Sequence, residues 1–349
     1  MLRRLRFIVI AGVVAIFAVV TMVSQGYAHT AVGTCKDLGG HWDKIVSLTA
    51  ATGKWTILAH DEIDHSKSVD ADAWMYNGTV PGPTMTVTEG DKVCVQFTNN
   101  LPESTSVHFH GIKAPYIENA NDGVPPVGAG LDIPGNGGMG AMHFTAPSAG
   151  GYMYHAHEDT TRQILLGLYG KIIVKSKFPT DNGYAFDDMW MLSEWRIDKD
   201  PKTNDYIDTV PAGLDADTLP DYFTIDGKAF DPVALGDKDD GVSKGNKLIV
   251  LKQGQRARLR MTGIGQWPHA MHMHGRNFQV VAKDGTALAN PETMNTITVH
   301  PGEIYDIVFT AGFTTEDLGI WVFHCHLLDH ATNHDVYPGG LISAVVITK

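Results

Sequence analysis

Basic charge, cysteine and helical periodicity are all scarce in this 349-residue chain. Lysine and arginine number 27 against 39 aspartates and glutamates. Three of the basic groups, Arg3, Arg4 and Arg6, are the only charges in residues 1–28, so the remainder holds 24 basic and 39 acidic groups, a net −15. That sign excludes nucleic acid and anionic lipid as partners. Of the three cysteines, Cys35 and Cys94 are free to pair in an oxidising compartment. They are equally able to stay two unrelated thiols, because sequence does not show how near their Cα atoms come. No long Met-rich insertion and no disordered tract interrupts the chain. What is there, 43% hydrophobic residues with 37 Gly and 17 Pro, suits a turn-rich globular protein of two ordinary domains or one large one.

The first residues read as a targeting segment. Met1–Arg6 is a positive n-region, Phe7–Val23 is a continuous apolar run, and Gly26-Tyr-Ala28 places small residues around a cleavage point. The run is short for a spanning helix, so residues 1–28 are expected to be a signal peptide. The exported remainder would then be periplasmic or extracellular, with no stable membrane insertion. A retained anchor is the alternative, and the Arg-Arg pair leaves the export route open.

Beyond the leader, Val- and Thr-rich alternation is broken by N-G, P-G-P and E-G-D turns from Trp74 to Phe97, the pattern of short strands joined tightly. Similar strands continue through Gly170–Val174, predicting an antiparallel sandwich over 29–178. A polar stretch from Lys177 to Gly183 precedes a second series, from Met189–Trp195 to Gly340–Ile347, predicting a second sandwich over 179–349. The fold class is therefore all-β. Thr88–Phe97 and Lys252–Met261 resemble one another, and each precedes a histidine pair by about a dozen residues, as an internal duplication would produce. The acidic run Gly236–Gly241 lacks the spacing and closing Glu of a calcium loop and reads as solvated.

The chemistry lies in four H-x-H pairs: His108/His110, His155/His157, His272/His274 and His324/His326. Chance placement of 17 histidines predicts roughly one such pair. On a strand each pair projects to one face, and two adjacent imidazoles are costly to bury unless metal or hydrogen bonds satisfy them. Each half supplies two pairs, so eight imidazoles can meet where a first-half surface faces a second-half one, a number suited to three ions. His269, Cys325 and His330 remain. His269 lies an odd number of residues from His272 and His274, and Cys325 sits between His324 and His326, so both point to the opposite face. Two His and one thiolate in a water-poor site make a one-electron blue-copper centre. His29, His41, His60, His65, His143 and His300 fall outside the motifs and read as ordinary surface or core residues.

The order H-F-H-G, H-A-H-E, H-A-M-H-M-H-G and H-C-H-L-L-D-H, with W-x-x-N-G-x-x-P-G-P and G-x-x-x-F-H-C-H, resembles the copper motifs of multicopper oxidases across nearly the whole exported chain. With two sandwiches and H-A-H in the first, the chain is most similar to two-domain laccases whose blue copper sits in the second domain. The resemblance implies cupredoxin-like Greek-key sandwiches, four coppers per functional unit, and a homotrimer with each cluster between neighbouring subunits. It implies type 1 copper on His269, Cys325 and His330, type 2 copper on His108 and His272, and the type 3 pair on His110, His155, His157, His274, His324 and His326. Asp122 resembles the family's acidic proton donor and equally reads as a turn Asp before Gly; Glu158 and Asp159 are weaker candidates. The sequence departs from the family after His330: His334 replaces the usual Gly, Asp335 occupies the axial position, and the segment to Gly340 is longer.

The function so implied is a laccase-like oxidase. A small reducing substrate, phenolic or metal ion, would give up electrons near an exposed edge of His330 or His269, and dioxygen would be reduced to water at the cluster. A cuprous, ferrous or manganous oxidase would differ only near the type 1 site, where Met139, Met142, Met271 and Met273 would suit soft Cu(I) or simply pack the core. A copper nitrite reductase carries its blue-copper Cys in the first domain and needs fewer cluster histidines. A periplasmic copper-binding protein would have no use for a complete two-centre ligand set.

Overall fold

The computed structural model describes residues 33–128, 130–178, 183–199, 206–210, 219–234 and 246–349. The leader, His29 and the acidic run at 236–241 lie outside them. Alternation of β-branched and polar residues produces eight strands in the first half. These are β1 (Lys44–Leu58), β2 (Val69–Tyr76), β3 (Gly82–Thr88), β4 (Lys92–Asn99), β5 (His108–His110), β6 (Gly138–Thr145), β7 (Gly150–His155) and β8 (Tyr169–Lys175). The second half contributes β9 (Tyr184–Lys199), β10 (Tyr206–Val210), β11 (Tyr222–Ile225), β12 (Leu248–Lys252), β13 (Arg256–Gly263) and β14 (His269–Met273). After these come β15 (Phe278–Lys283), β16 (Thr286–Met294), β17 (Thr296–Val299), β18 (Ile304–Thr310), β19 (Gly319–Cys325) and β20 (Ile342–Thr348). Among the described residues no helix is long and apolar enough to cross a membrane.

The duplication is plain in the strand order. In the first half one sheet runs β2-β1-β4-β6 and the other β3-β8-β7-β5; in the second, β10-β9-β13-β18-β15-β16, with β11 also on β9, faces β12-β20-β19-β14-β17. The resembling segments are β4 and β13, each parallel to the first long strand of its half, β1 or β9. Likewise β3 pairs parallel with β8 and β12 with β20. The sandwiches are therefore mixed rather than purely antiparallel. A chain that crosses between two sheets returns to its first sheet running in its original direction, which places parallel neighbours inside an otherwise antiparallel Greek key.

One apolar core runs from Leu48 to Val174 and another from Trp190 to Ile347, and we propose that these are two domains meeting between 178 and 179. A third core joins them, with Ile57, Met75 and Tyr169 of the first half packed on Met191, Trp195 and Tyr222 of the second. A buried ion pair crosses the same junction, Lys171 Nζ lying 2.7 Å from Asp226 Oδ2, and Lys247 of the second half adds a partly exposed contact at 2.7 Å. A large apolar junction with buried ionic contacts opposes hinge motion between the halves. The two open cysteines are joined: Cys35, in the single turn α1 (Cys35–Leu38), is disulfide-bonded to Cys94 of β4, with Cα atoms 6.0 Å apart. Met142, Met271 and Met273 pack in the cores, while Met139 is exposed on β6.

Candidate metal centres

Strand parity separates two sets of ligands on the second half. Along β14, His269, Met271 and Met273 face the core and His272 faces out. On β19, Phe323 and Cys325 face in and His324 faces out. The antiparallel register sets His272 opposite His324 and Met271 opposite Cys325, so one pair of strands presents imidazoles on one face and a thiol on the other.

The inner set is His269, Cys325 and His330. His330 arrives on the 3-10 turn Leu328–Ala331, just after β19. Its Nδ1 lies 3.1 Å from His269 Nδ1 and 3.6 Å from Cys325 Sγ, and all three side chains lie within ligand distance of one another. Exposure is 0% for His269 and Cys325 and 1% for His330. Burial pushes the Cys325 thiol up to about 11, while burial, with His269 adding to it, pushes His330 down to about 4. Neutral imidazoles are the ligand form, and a thiolate in this site needs a cation to compensate it. The donor set therefore fits a soft or borderline metal such as copper.

The expected exposed edge is absent. Phe223 of β11 stacks on the His330 ring at 3.9 Å and 16°, and Trp267 stands edge-on at 6.2 Å. Both rings come from distant stretches of chain, so the expectation of an open imidazole is corrected by packing that no local pattern reveals. Beyond them lies a cavity of about 320 Å³ whose lining includes Phe223, Trp267, Asp221, Asp329, His334 and Asp335. His334 and Asp335 adopt positive φ, 43° and 65°. Two successive left-handed residues turn the chain outward, with Asn333 anchored by Phe230 O and Gly340 N. Asp335 is consequently exposed, whereas His269, Cys325 and His330 are buried.

The outer histidines form two groups of four. In the first half, β5 and β7 set His108 opposite His155, and ring contacts of 5.1–5.8 Å link His108, His110, His155 and His157. In the second, contacts of 5.0–5.9 Å link His272, His274, His324 and His326. Among the described residues no ring contact joins one group to the other. Several rings are held by one nitrogen. His108 Nδ1 donates to Asp122 O at 2.6 Å, His155 Nδ1 to Ala156 O at 2.9 Å and His324 Nδ1 to Cys325 O at 2.8 Å. His272 Nδ1 lies 2.8 Å from Thr296 Oγ1. Each bond fixes the tautomer and leaves Nε2 as a lone-pair donor. Burial drives His155 down to about 3 and lowers His108, His110 and His324, which disfavours their charged forms.

Asp122 thus touches the site first through its backbone, with Oδ1 3.5 Å from His108 Nδ1. Glu158, next to His157, has its carboxyl raised by burial and then by Asp132 and Asp159, and its Oε2 is buried without a partner. Sequence reasoning missed Glu194, Phe223 and Trp267. The signal for Glu194 was a lone acid inside the apolar run Met189–Trp195. Of the remaining histidines, His60 pairs with Asp231 at 2.7 Å, His65 bonds Asp61 O and His143 packs on Trp42, as the ordinary reading holds.

Cupredoxin-like sheets carrying an inner His2Cys set and outer histidine pairs define a protein of the copper-binding cupredoxin class. Residues 58–178 and 216–336 each match a sequence profile described as multicopper oxidase. A copper resistance protein A homolog of Pseudomonas syringae pv. tomato is 28% identical over 68% of this chain and 44% of its own. The multicopper oxidase MmcO of Mycobacterium tuberculosis is 28% identical over 68% and 47%. The chain spans less than half the length of these curated relatives. Among solved structures, a blue copper oxidase from Nitrosomonas europaea superposes with TM-score 0.70 at 27% identity, covering 87% of this chain and 86% of that one. A copper nitrite reductase from the same organism, at TM-score 0.66 and 21% identity, covers 88% and 95% and shares the fold. The chain belongs to the multicopper oxidase family.

Proposed function

We propose that this chain is a laccase-like oxidase coupling one-electron oxidation of a small reducing substrate, phenolic or metal ion, to four-electron reduction of dioxygen to water. The observation that carries it is β19, where one strand presents Cys325 to His269 and His330 on its inner face and His324 and His326 to His272 and His274 on its outer face. Copper, when bound, supplies one-electron steps at the inner set and oxygen reduction at the outer cluster. In this reading His269, Cys325 and His330 hold type 1 copper. His108 and His272 hold type 2 copper, and His110, His155, His157, His274, His324 and His326 hold the type 3 pair.

The chain's own residues connect the two faces. Cys325 is covalently joined to both outer histidines, and the His324 Nδ1 bond to Cys325 O adds a second path. Asp122 holds His108, and Glu158, next in sequence to His157, has its carboxyl raised by burial and its Oε2 free of partners, as a proton donor to the cluster requires. Two separate groups of four support a homotrimer in which each group is completed by the other kind from a neighbouring subunit. The apolar leader supports export. Asp329 and Asp335 at the cavity, where Asp221 is already beside Arg196 and His334, favour a second reading in which the donor is a reduced metal cation.

The test is to count copper per chain and follow oxygen uptake with a phenol and then with Cu(I). About three or more coppers and oxygen consumption are expected; nitrite turnover without oxygen uptake would sink the proposal. Cys325→Ser should abolish the blue absorption and substrate oxidation while the cluster still fills. Loss of all copper in that variant would refute the division between the two centres.

A further inference from the structure

Glu194 of β9 is 1% exposed and is not among the metal ligands assigned above. Its Oε1 accepts backbone N–H bonds from Gln266 and Trp267, the latter at 3.2 Å. Its Oε2 has no hydrogen-bond partner, and neither does His269 Nε2; both are buried, and they stand 3.6 Å apart. Two facing orphans in a dry interior are costly apart and complementary together. The loop around them is shaped for the carboxylate: a Cβ at Gly265 would sit 2.1 Å from both Glu194 oxygens. His269 Nδ1 is committed to the ligand side, 3.1 Å from His330 Nδ1. With Nδ1 given to a metal, the ring's N–H sits on Nε2, aimed at Glu194.

We infer that Glu194 is a positioning residue for the inner metal centre. Its carboxylate accepts the Nε2–H of His269, fixes the ring so that Nδ1 faces the metal, and sets a negative charge behind the ligand that favours the oxidised centre. This rests on the type 1 assignment of His269, Cys325 and His330 proposed above. Gln266 and Trp267 tie the carboxylate into the loop that leads to His269, so the loop and the ligand are oriented by one group. An amide in its place keeps the shape, yet it turns a donor toward a donor.

The test compares wild type with Glu194→Gln and Glu194→Asp. Cu(I) affinity of the inner site is measured against a chromogenic chelator, and its reduction potential by titration of the blue absorption. For Glu194→Gln we expect inner-site affinity to fall about 10–100-fold and the potential to rise, with the outer coppers retained. Glu194→Asp keeps the charge and should hold a potential nearer wild type than the amide does. An amide variant with wild-type affinity and potential would overturn the inference while leaving the type 1 site standing. A wild-type protein without blue absorption would overturn the type 1 assignment and this inference together. Should the amide variant fail to fold, wild type loaded with Cu(I) decides by NMR. A far-downfield His269 Nε2–H proton in slow exchange supports the bond, and one exchanging at the rate of a free imidazole overturns it.

Discussion

Phe223→Ala tests how reductant reaches the inner centre. The ring is 4% exposed and lies against the His330 imidazole with centroids 3.9 Å apart, between that ring and the cavity of about 320 Å³. Truncating a buried Phe costs about 3–5 kcal/mol, and the aromatic pair accounts for about 0.5–1.5 kcal/mol of it. The space vacated opens to a polar cavity that water can fill, so the low end, about 3 kcal/mol, applies. Against a total stability of about 5–15 kcal/mol the variant folds, with a clearly lower denaturant midpoint.

The functional consequence is exposure of His330, which is 1% accessible in the native packing. Diethyl pyrocarbonate footprinting of the copper-free protein, read by peptide mass spectrometry, should find His330 protected in wild type and modified in the variant. The copper-loaded variant should keep its blue absorption, its potential should fall as water nears the ligand, and bulky phenols should show a lower KM. Equal protection of His330 in both proteins would refute the cover. Lost oxidation with an intact blue spectrum and unchanged KM would mean that the electron travels through Phe223 rather than around it.

Two further outcomes follow from buried charge. Asp226 sits at the junction of the halves; burial opposes its ionisation, yet Lys171 and Lys247 hold its carboxyl below the usual range. Asp226→Asn strands the buried Lys171 ammonium and should cost about 3–5 kcal/mol, seen as a lower urea midpoint at unchanged slope; a loss under about 1 kcal/mol would show that the pair is solvated. In the copper-free protein, burial sets His330 near 4 and His155 near 3. The unfolded chain, with ordinary histidines, therefore binds more protons below about pH 6.5. Stability is fully present above that pH and is lost as pH falls toward 4 and then 3. At about 1.4 kcal/mol per unit, His330 alone accounts for roughly 3 kcal/mol by pH 4. Urea midpoints across that range check it, with His330→Asn expected to flatten the slope; a slope unchanged by that variant would contradict the assignment.

Much of the site was legible because strand parity is local. The odd spacing of His269 from His272 and His274, and the place of Cys325 between two histidines, gave the two faces that β14 and β19 display. What stayed hidden depends on distant chain segments. Phe223 and Trp267 cover His330 from elements far away in sequence, which is why the imidazole was expected to be open. Glu194 reaches His269 because β9 pairs with β13 and the loop after β13, at Gly265, wraps its carboxylate. The parallel pairs escaped notice for a similar reason, since alternation reports faces and not partners. The pairing of Cys35 with Cys94 needed the distance between them.

The first half shows why only the second carries an inner His2Cys set. Its β5 and β7 repeat the geometry of β14 and β19, and His155-Ala156-His157 stands where the second half has His324-Cys325-His326. Ala156 is as buried as Cys325. Thr105, three residues before His108 as His269 is before His272, is also fully buried. Its Oγ1 donates to Gln163 Oε1 at 2.7 Å, and Gln163 Nε2 donates to Ser104 O at 2.9 Å and Glu103 Oε1 at 3.1 Å. Gln163 ends the short helix α2 (Thr160–Gln163), which follows β7 much as the turn carrying His330 follows β19. Every side-chain polar atom of Thr105 and Gln163 is thus satisfied within the protein, whereas His269 Nε2 and Glu194 Oε2 are left facing each other without partners. A closed hydrogen-bond network needs nothing more. A thiolate buried beside imidazoles and a carboxylate is costly until a cation joins it. The same sandwich therefore carries a closed polar network in one half and, in the other, a buried His2Cys set that could hold a metal ion.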